Sequence, residues 1–303
     1  RDTFTYTIRR PLGVVGLIAP WNFPWAIPVW KSAPALAAGN CVIFKPAELT
    51  PATSTLLAEI YEQAGLPPGV FNMLVGSGSV VGEAIVHSPV LRAISFTGSN
   101  EVGGALYTKA AQRGAKVTCE MGGKNAVIVM ADADLDKAAV AIHGGAFGST
   151  GQRCTATSRV IAHPSAKDAL LERLMDAAKR IKIGSGLDDT VDMGPAVDEK
   201  QWKTDLDYIK IGQQEGARLI LGGKQPEHLG KGYFVEPTIF DNVAPNTRIF
   251  KEEIFGPVLA VSTAKNLEEA LTYANGVEYG LTTSIFTENI DTIMNFVEEV
   301  ETG

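Results

Sequence analysis

The chain has 303 residues, 45% hydrophobic and 20% charged, which fits a folded globular protein too long for one ordinary core. Its formal net charge of −7, with no basic run, argues against nucleic acid or an anionic membrane surface as a partner. Cys41, Cys119 and Cys154 form no C-x-x-C pair, and His87, His143, His163 and His228 lack metal-ligand spacing, so a reducing, cytoplasmic setting without a metal site is expected.

The first residues, Arg1 to Tyr6, alternate like a strand and lack an initiator Met, so residues 1–10 are expected to belong to an oligomerisation strand of a longer protein. Pro11 to Trp30 carries no charge and imitates a membrane span, but Pro20, Pro24 and Pro28 each remove a backbone donor. A buried strand (Val14 to Ala19), a Pro20-Trp21-Asn22-Phe23-Pro24 loop and a helix to about Ala38 account for it better. Strands then follow at Cys41–Phe44, Val70–Val75, Leu91–Phe96 and Lys116–Cys119. Helices lie between them, one capped by Thr50 or Thr53 and ending near Gln63, another over about Glu101–Gln112. The alternation predicts an α/β fold with a doubly wound, mainly parallel sheet whose ligand sits at the carboxyl ends of the strands.

A domain boundary is expected near Gly122, dividing 1–121 from a second α/β domain, 122–303. There the pattern continues with a strand at Asn125–Met130, a helix opened by Asp134, a strand at Ser158–Ala162 and a helix over Ser165–Ile181. Later strands are expected near Val235–Phe240, Val258–Ser262 and Thr282–Phe286.

Several segments carry chemistry. In Gly151-Gln152-Arg153-Cys154-Thr155, a thiol after a glycine-rich loop can attack a carbonyl carbon, with Arg153 lowering its pKa. Taken alone, a lone cysteine is more often a buried structural residue. Glu120, at a strand end before Met121-Gly122-Gly123-Lys124, can serve as a general base, or be only an exposed carboxylate. Asn22, held between prolines and aromatics, is a candidate oxyanion donor or a turn residue. Gly98-Ser99-Asn100-Glu101-Val102-Gly103 follows a strand and opens a helix, so a pyrophosphate could approach it, although it is neither G-x-G-x-x-G nor a P-loop. Lys45 and Glu48 occupy another strand end, where a carboxylate can accept ribose hydroxyl hydrogen bonds.

In order, spacing and wording these segments, with Glu252-Glu253-Ile254-Phe255-Gly256-Pro257, resemble the aldehyde dehydrogenase superfamily over essentially the whole chain. The resemblance implies a dinucleotide-binding first domain and a catalytic second domain. It implies that Cys154 attacks a small-molecule aldehyde and that Asn22 and the Cys154 N–H hold the oxyanion. Glu120 then activates water to hydrolyse a thioester, giving a free acid rather than a coenzyme A ester. It further implies that Lys45 and Glu48 contact the adenosine ribose, Ser99 the pyrophosphate, and Glu253 and Phe255 the nicotinamide ribose and ring. Trp21, Gly98 and Gly103 would shape the cleft. The cofactor is expected to be NAD, which Glu48 favours, with NADP open because Lys45 stands nearby.

Departures from the commoner wording are Cys119 and Met121 beside Glu120, Asn100 in the glycine loop, and Ser149-Thr150 before Gly151. The stretches Phe147–Arg159 and Lys45–Ala52 look like those of 2-oxoglutarate semialdehyde (2,5-dioxopentanoate) dehydrogenases. For such a substrate Arg153 would pair with the distal carboxylate; the alternative is that it tunes the thiol or packs in the loop. Arg159 reads as structural. Members of the family extend further at both ends, so the parent is expected to be a homodimer or homotetramer, and this stretch alone inactive or unstable. The other readings are a dehydrogenase for another semialdehyde or general aldehyde, a coenzyme A-acylating enzyme, a cysteine hydrolase with a histidine base, and a non-enzymatic binding protein on the same fold.

Overall fold

The computed structural model describes residues 2–303. Contacts divide the chain into two compact units, one ending at Met121 and one spanning Gly122–Gly303.

The first unit alternates strand and helix. Its strands are β1 (Val14–Ile18), β2 (Cys41–Lys45), β3 (Phe71–Met73), β4 (Leu91–Thr97) and β5 (Lys116–Glu120). Its helices are α1 (Ala26–Ala37), α2 (Pro51–Gln63), α3 (Glu83–His87), which continues a single π turn at Gly78–Gly82, and α4 (Asn100–Gln112). Helix α1 stops because Gly39 takes a left-handed conformation (φ 84°), and α2 starts on Pro51, whose missing N–H needs no partner there. All five strands are parallel, in the order β3-β2-β1-β4-β5. Separate apolar clusters form around them. Val15, Leu17, Val42 and Phe44 pack with Ile27 of α1, while Ile94 and Phe96 pack with Ile85 of α3 and Leu106 of α4.

Residues 2–10 form no strand within this chain, and Phe4, Tyr6 and Ile8 are exposed; Arg1 lies outside the described residues. The strand expected over Val70–Val75 is shorter, because Leu74 and Val75 run out into solvent at the sheet edge.

The second unit contains β6 (Asn125–Val129), α5 (Leu135–Phe147), β7 (Thr157–Ala162), α6 (Pro164–Lys179), α7 (Glu199–Gln214) and β8 (Arg218–Leu221). It continues with β9 (Thr238–Asp241), α8 (Arg248–Lys251), β10 (Val258–Thr263), α9 (Leu267–Asn275), β11 (Thr283–Phe286) and α10 (Ile290–Glu299). The strand order is β11-β6-β7-β10-β9-β8, parallel except for β8 against β9. Side-chain caps start the helices: Asp134 on α5, Asp198 on α7, Asn266 on α9 and Asn289 on α10. His163 caps α6 through Nδ1, and His143 stacks edge-on to Phe147, so the two histidines nearest Cys154 in sequence serve local structure. The strand expected from Val235 begins only at Thr238, since Pro237 has no N–H for a ladder. Among the described residues, no helix is long and apolar enough to cross a membrane, and no group of His, Cys, Asp and Glu could hold a metal ion.

Candidate active site

In the first unit the strand ends are level. Ile18 pairs with Lys45 and with Phe96, and Thr97 pairs with Glu120. The chain order reverses between β1 and β4, which opens a crevice beyond their carboxyl ends. Every candidate residue of this unit except Gly103, which lies in α4, is on that edge: half-buried Trp21 and Asn22 after β1, Lys45 and Glu48 at β2, Gly98 and Ser99 after β4, and exposed Glu120 at the end of β5.

Lys45 is buried, its Nζ donating to the Pro46 carbonyl at 3.0 Å; burial lowers its pKa and the Glu48 charge opposes the shift. Ser99 Oγ accepts from the Val102 N–H at 3.4 Å and caps α4, so its own proton can still be donated outward. Gly103 is closely packed. A Cβ there would lie 2.6 Å from Met121 Sδ and 3.1 Å from the Phe96 ring. This contact accounts for the unusual neighbours of Glu120. Strand alternation turns Cys119, with Met121 beyond the strand end, to the side packed by α4, where Cys119 Sγ donates weakly to the Gly103 carbonyl at 3.7 Å. Glu120 is thereby left on the other side.

Lys31, which no motif in the sequence marks, stands near Glu120. Its Nζ donates to Ser95 Oγ (2.8 Å) and the Phe96 carbonyl (3.2 Å). Burial lowers its pKa, while the charges of Glu120 and Cys119 act to raise it. Helical spacing from the apolar loop carries Lys31 to the sheet edge, which no short motif announces.

In the second unit Cys154 is half-buried on the loop between α5 and β7. The approach to it is left-handed: Ser149 (φ 54°), Thr150 (φ 59°) and Gly151 (φ 67°) in succession. Two non-glycine residues in that region store strain, a feature common near functional groups. Anchors outside the loop hold them, with Thr150 Oγ1 donating to the Gly194 carbonyl (3.0 Å) and Gln152 Oε1 accepting from the Val197 N–H (2.8 Å).

Gly123 lies between Cys154 and Glu253. Its N–H donates to Glu253 Oε1 at 2.9 Å, and a Cβ on it would lie 2.6 Å from the Cys154 carbonyl oxygen. That carbonyl accepts from Asn125 Nδ2 at 2.7 Å. Gly122 is equally tight, since its Cβ would fall 2.1 Å from Glu253 Oε2. The two glycines therefore let the Glu253 carboxyl and the Cys154 backbone close on one strip of chain.

The adjacent glutamates differ. Glu252 is held below the usual carboxylate range by hydrogen bonds from Arg248, and it also accepts from Tyr208. Burial pushes Glu253 upward, although the Gly123 N–H and the Lys124 charge oppose the shift. Phe255 takes a left-handed conformation (φ 64°) two residues later.

Arg153 turns away from the role of a distal-carboxylate clamp. Its Nη2 donates to the Gly144 (2.7 Å) and Gly145 (3.1 Å) carbonyls in the last turn of α5, which favours the packing alternative. Arg159 is structural: its guanidinium donates to the Lys124, Tyr273 and Ala274 carbonyls beneath the Phe250 ring. Two buried ionisable residues were not legible in the sequence. Lys124 is fully buried with its pKa lowered to about 7 by burial, and Asp205 is fully buried with its pKa raised to about 7 by burial.

The family model described as "Aldehyde dehydrogenase family" matches residues 1–303. The chain belongs to the aldehyde dehydrogenase family. It is 50% identical over its whole length to the alpha-ketoglutaric semialdehyde dehydrogenase of Bacillus subtilis (strain 168), covering 62% of that protein. It is also 50% identical to the 2,5-dioxopentanoate dehydrogenase of Saccharolobus solfataricus, covering 63%. Among solved aldehyde dehydrogenase structures, the betaine aldehyde dehydrogenase of Staphylococcus aureus in complex with NAD+ superposes with a TM-score of 0.94 at 36% identity, over 97% of this chain and 58% of that one. The chain thus spans about three-fifths of the length of these relatives.

Proposed function

We propose that this chain carries the chemistry of an NAD-dependent aldehyde dehydrogenase that oxidises 2-oxoglutarate semialdehyde to the free acid. The observation that carries the reaction class is the packing around Gly123, where the Cys154 backbone and the Glu253 carboxyl share one glycine-lined strip. The substrate rests on the two relatives at 50% identity, both named for this aldehyde.

The first unit fits a dinucleotide: a parallel sheet with a switch point between β1 and β4, a glycine turn leading into the Ser99 cap of α4, and Lys45 with Glu48 at the next strand end. In this reading it is the dinucleotide-binding domain and the second unit is the catalytic domain. Lys45 and Glu48 bind the adenosine ribose, Ser99 donates to the pyrophosphate, and Trp21, Gly98 and Gly103 shape the cleft. Glu253 and Phe255 hold the nicotinamide ribose and ring. NAD is favoured over NADP because the Glu48 carboxylate repels a 2′-phosphate. When bound, the nicotinamide accepts the hydride lost by the substrate carbon.

Cys154 Sγ forms a bond to the aldehyde carbon, and the carbonyl π electrons move to oxygen. Asn22 and the Cys154 N–H donate to that oxyanion. After oxidation the acyl group remains on sulfur as a thioester. Glu120 takes a proton from water, the hydroxyl attacks the acyl carbon, and the thiolate leaves. No substrate role is assigned to Arg153, whose guanidinium closes α5. The protein is further proposed to be cytoplasmic and homo-oligomeric, the latter supported by the exposed Phe4, Tyr6 and Ile8.

The test is absorbance at 340 nm in the natural full-length protein with 2-oxoglutarate semialdehyde, comparing NAD+ with NADP+ and with or without coenzyme A. Turnover with NAD+ that does not need coenzyme A is expected. Glu120→Gln should retain a single-turnover burst and lose steady-state turnover, whereas Cys154→Ala should lose both. Steady turnover in Cys154→Ala would sink the covalent reading.

A further inference from the structure

Asp205 is a fully buried carboxyl that takes no part in the proposed chemistry, yet it touches the loop that does. It lies one turn after Gln201 on α7, so both face the same way. Gln201 Nε2 donates to Asp205 Oδ1 (2.8 Å) and also to the Ile254 carbonyl (2.9 Å). The amide thus ties the helix to the Glu252–Pro257 loop. The Asp205 carboxyl also lies flat against Gly256, where a Cβ would fall 2.1 Å from Oδ1 and 2.4 Å from Cγ. Gly256 in turn abuts the nucleophile loop, since a Cβ on Gly151 would lie 2.2 Å from the Gly256 carbonyl oxygen.

This arrangement is an expensive way to fill space. Asp205 Oδ2 is buried without a hydrogen-bond partner, and no cation is among the causes of its pKa shift. An aliphatic residue would fill the volume without that desolvation cost. It would not give Gln201 an acceptor. Between the two fixed points, Ile254 and Gly256, stands Phe255 with its left-handed backbone, and just before them stands Glu253. A left-handed non-glycine residue persists only where its surroundings hold it.

We propose that Asp205 is a positioning residue for the nicotinamide end of the site: with Gln201 it fixes the Ile254–Gly256 backbone and so directs the side chains of Glu253 and Phe255. This rests on the reading that Glu253 and Phe255 hold the nicotinamide ribose and ring. Asp205 touches neither cofactor nor substrate.

The experiment is steady-state kinetics of the natural full-length enzyme with Asp205→Asn, Asp205→Leu and Glu253→Gln, varying NAD+ at saturating aldehyde and the reverse. Asp205→Asn keeps an acceptor and a flat face, so KM for NAD+ should stay within about threefold of the parent. Asp205→Leu loses both, and KM for NAD+ should rise on the order of tenfold, with KM for the aldehyde changing less than about twofold. A residue important only for packing would lower the thermal midpoint and the active fraction without moving KM. An unchanged KM for NAD+ in Asp205→Leu, with a raised value in Glu253→Gln, overturns the proposal and leaves the functional reading standing. An unchanged value in Glu253→Gln overturns the functional reading instead. If Asp205→Leu yields no folded protein, Gln201→Met severs the same link from the helix and must show the rise; an unmoved KM there also overturns the proposal.

Discussion

Replacing Arg159 with Met tests how the second unit holds its central strands. The guanidinium donates to the Lys124 (2.7 Å), Tyr273 (2.8 Å) and Ala274 (2.9 Å) carbonyls, and its Cζ sits 4.8 Å from the centre of the Phe250 ring. Met fills much of the volume but leaves three carbonyls without a donor, each costing about 1–3 kcal/mol, or roughly 6 kcal/mol together. Burial pushes the Arg159 pKa down to about 10, which marks a desolvation cost that the substitution returns. That downward shift is worth about 3 kcal/mol. The difference leaves Arg159→Met about 3 kcal/mol less stable, within the range for breaking a buried charged network. Urea unfolding followed by far-ultraviolet circular dichroism gives the value directly. Arg159→Lys keeps a charge but cannot span three acceptors, and should lose nearly as much. A loss below about 1 kcal/mol for Arg159→Met would refute the reasoning, because the three carbonyls would then have found other donors.

Further outcomes follow from the same geometry. Gly144 and Gly145 are neighbours on α5, yet a Cβ meets nothing within 4 Å at the first and lies 2.3 Å from Thr157 Oγ1 at the second. Gly144→Ala should therefore stabilise by about 0.5–1 kcal/mol and Gly145→Ala destabilise by roughly 1–3 kcal/mol, as thermal midpoints will show. Arg153→Met should cost about 1 kcal/mol of stability through the lost helix closure. It should also change KM equally for an acidic and a neutral aldehyde; a selective loss of the acidic one would restore the carboxylate-clamp role.

The pH dependence of stability has two opposed arms. Asp205 binds its proton in the folded state up to about pH 7 and in the unfolded state only to about pH 4, so its contribution falls as pH rises through that window. Lys124 is the reverse: it loses its proton near pH 7 when folded but only near pH 10 when unfolded, so stability rises with pH across that window. Asp205→Asn should flatten the lower arm and Lys124→Met the upper one in urea unfolding measured from pH 4 to 10. Unchanged slopes would show that neither group titrates in its window.

The sequence by itself was enough for the parallel strand–helix alternation of the first unit, though not for α3. Its strands are short apolar runs cut by glycine and proline, and its helices carry their own stop signals, such as Gly39 after α1. Parallel strands separated by helices leave their carboxyl ends on one edge, so Asn22, Lys45, Glu48, Gly98 and Glu120 could be assigned to that edge from local pattern alone. The helices α3, α7, α8, α9 and α10 and the strand β8 were not legible in the sequence, because no motif lies within them. What tertiary structure decided is the use of individual side chains. Adjacent Glu252 and Glu253 are the same residue in the sequence, but one is paired with Arg248 and the other turned onto Gly123. Arg153 faces either a substrate or a helix end equally well on paper, and the Gly144 carbonyl settles its direction in the fold. Lys31, Lys124 and Asp205 acquire their significance only from what surrounds them, because ionisation depends on burial and on charges that are distant along the chain. Local pattern fixes where a backbone goes; desolvation and long-range hydrogen bonds fix what each polar group does there.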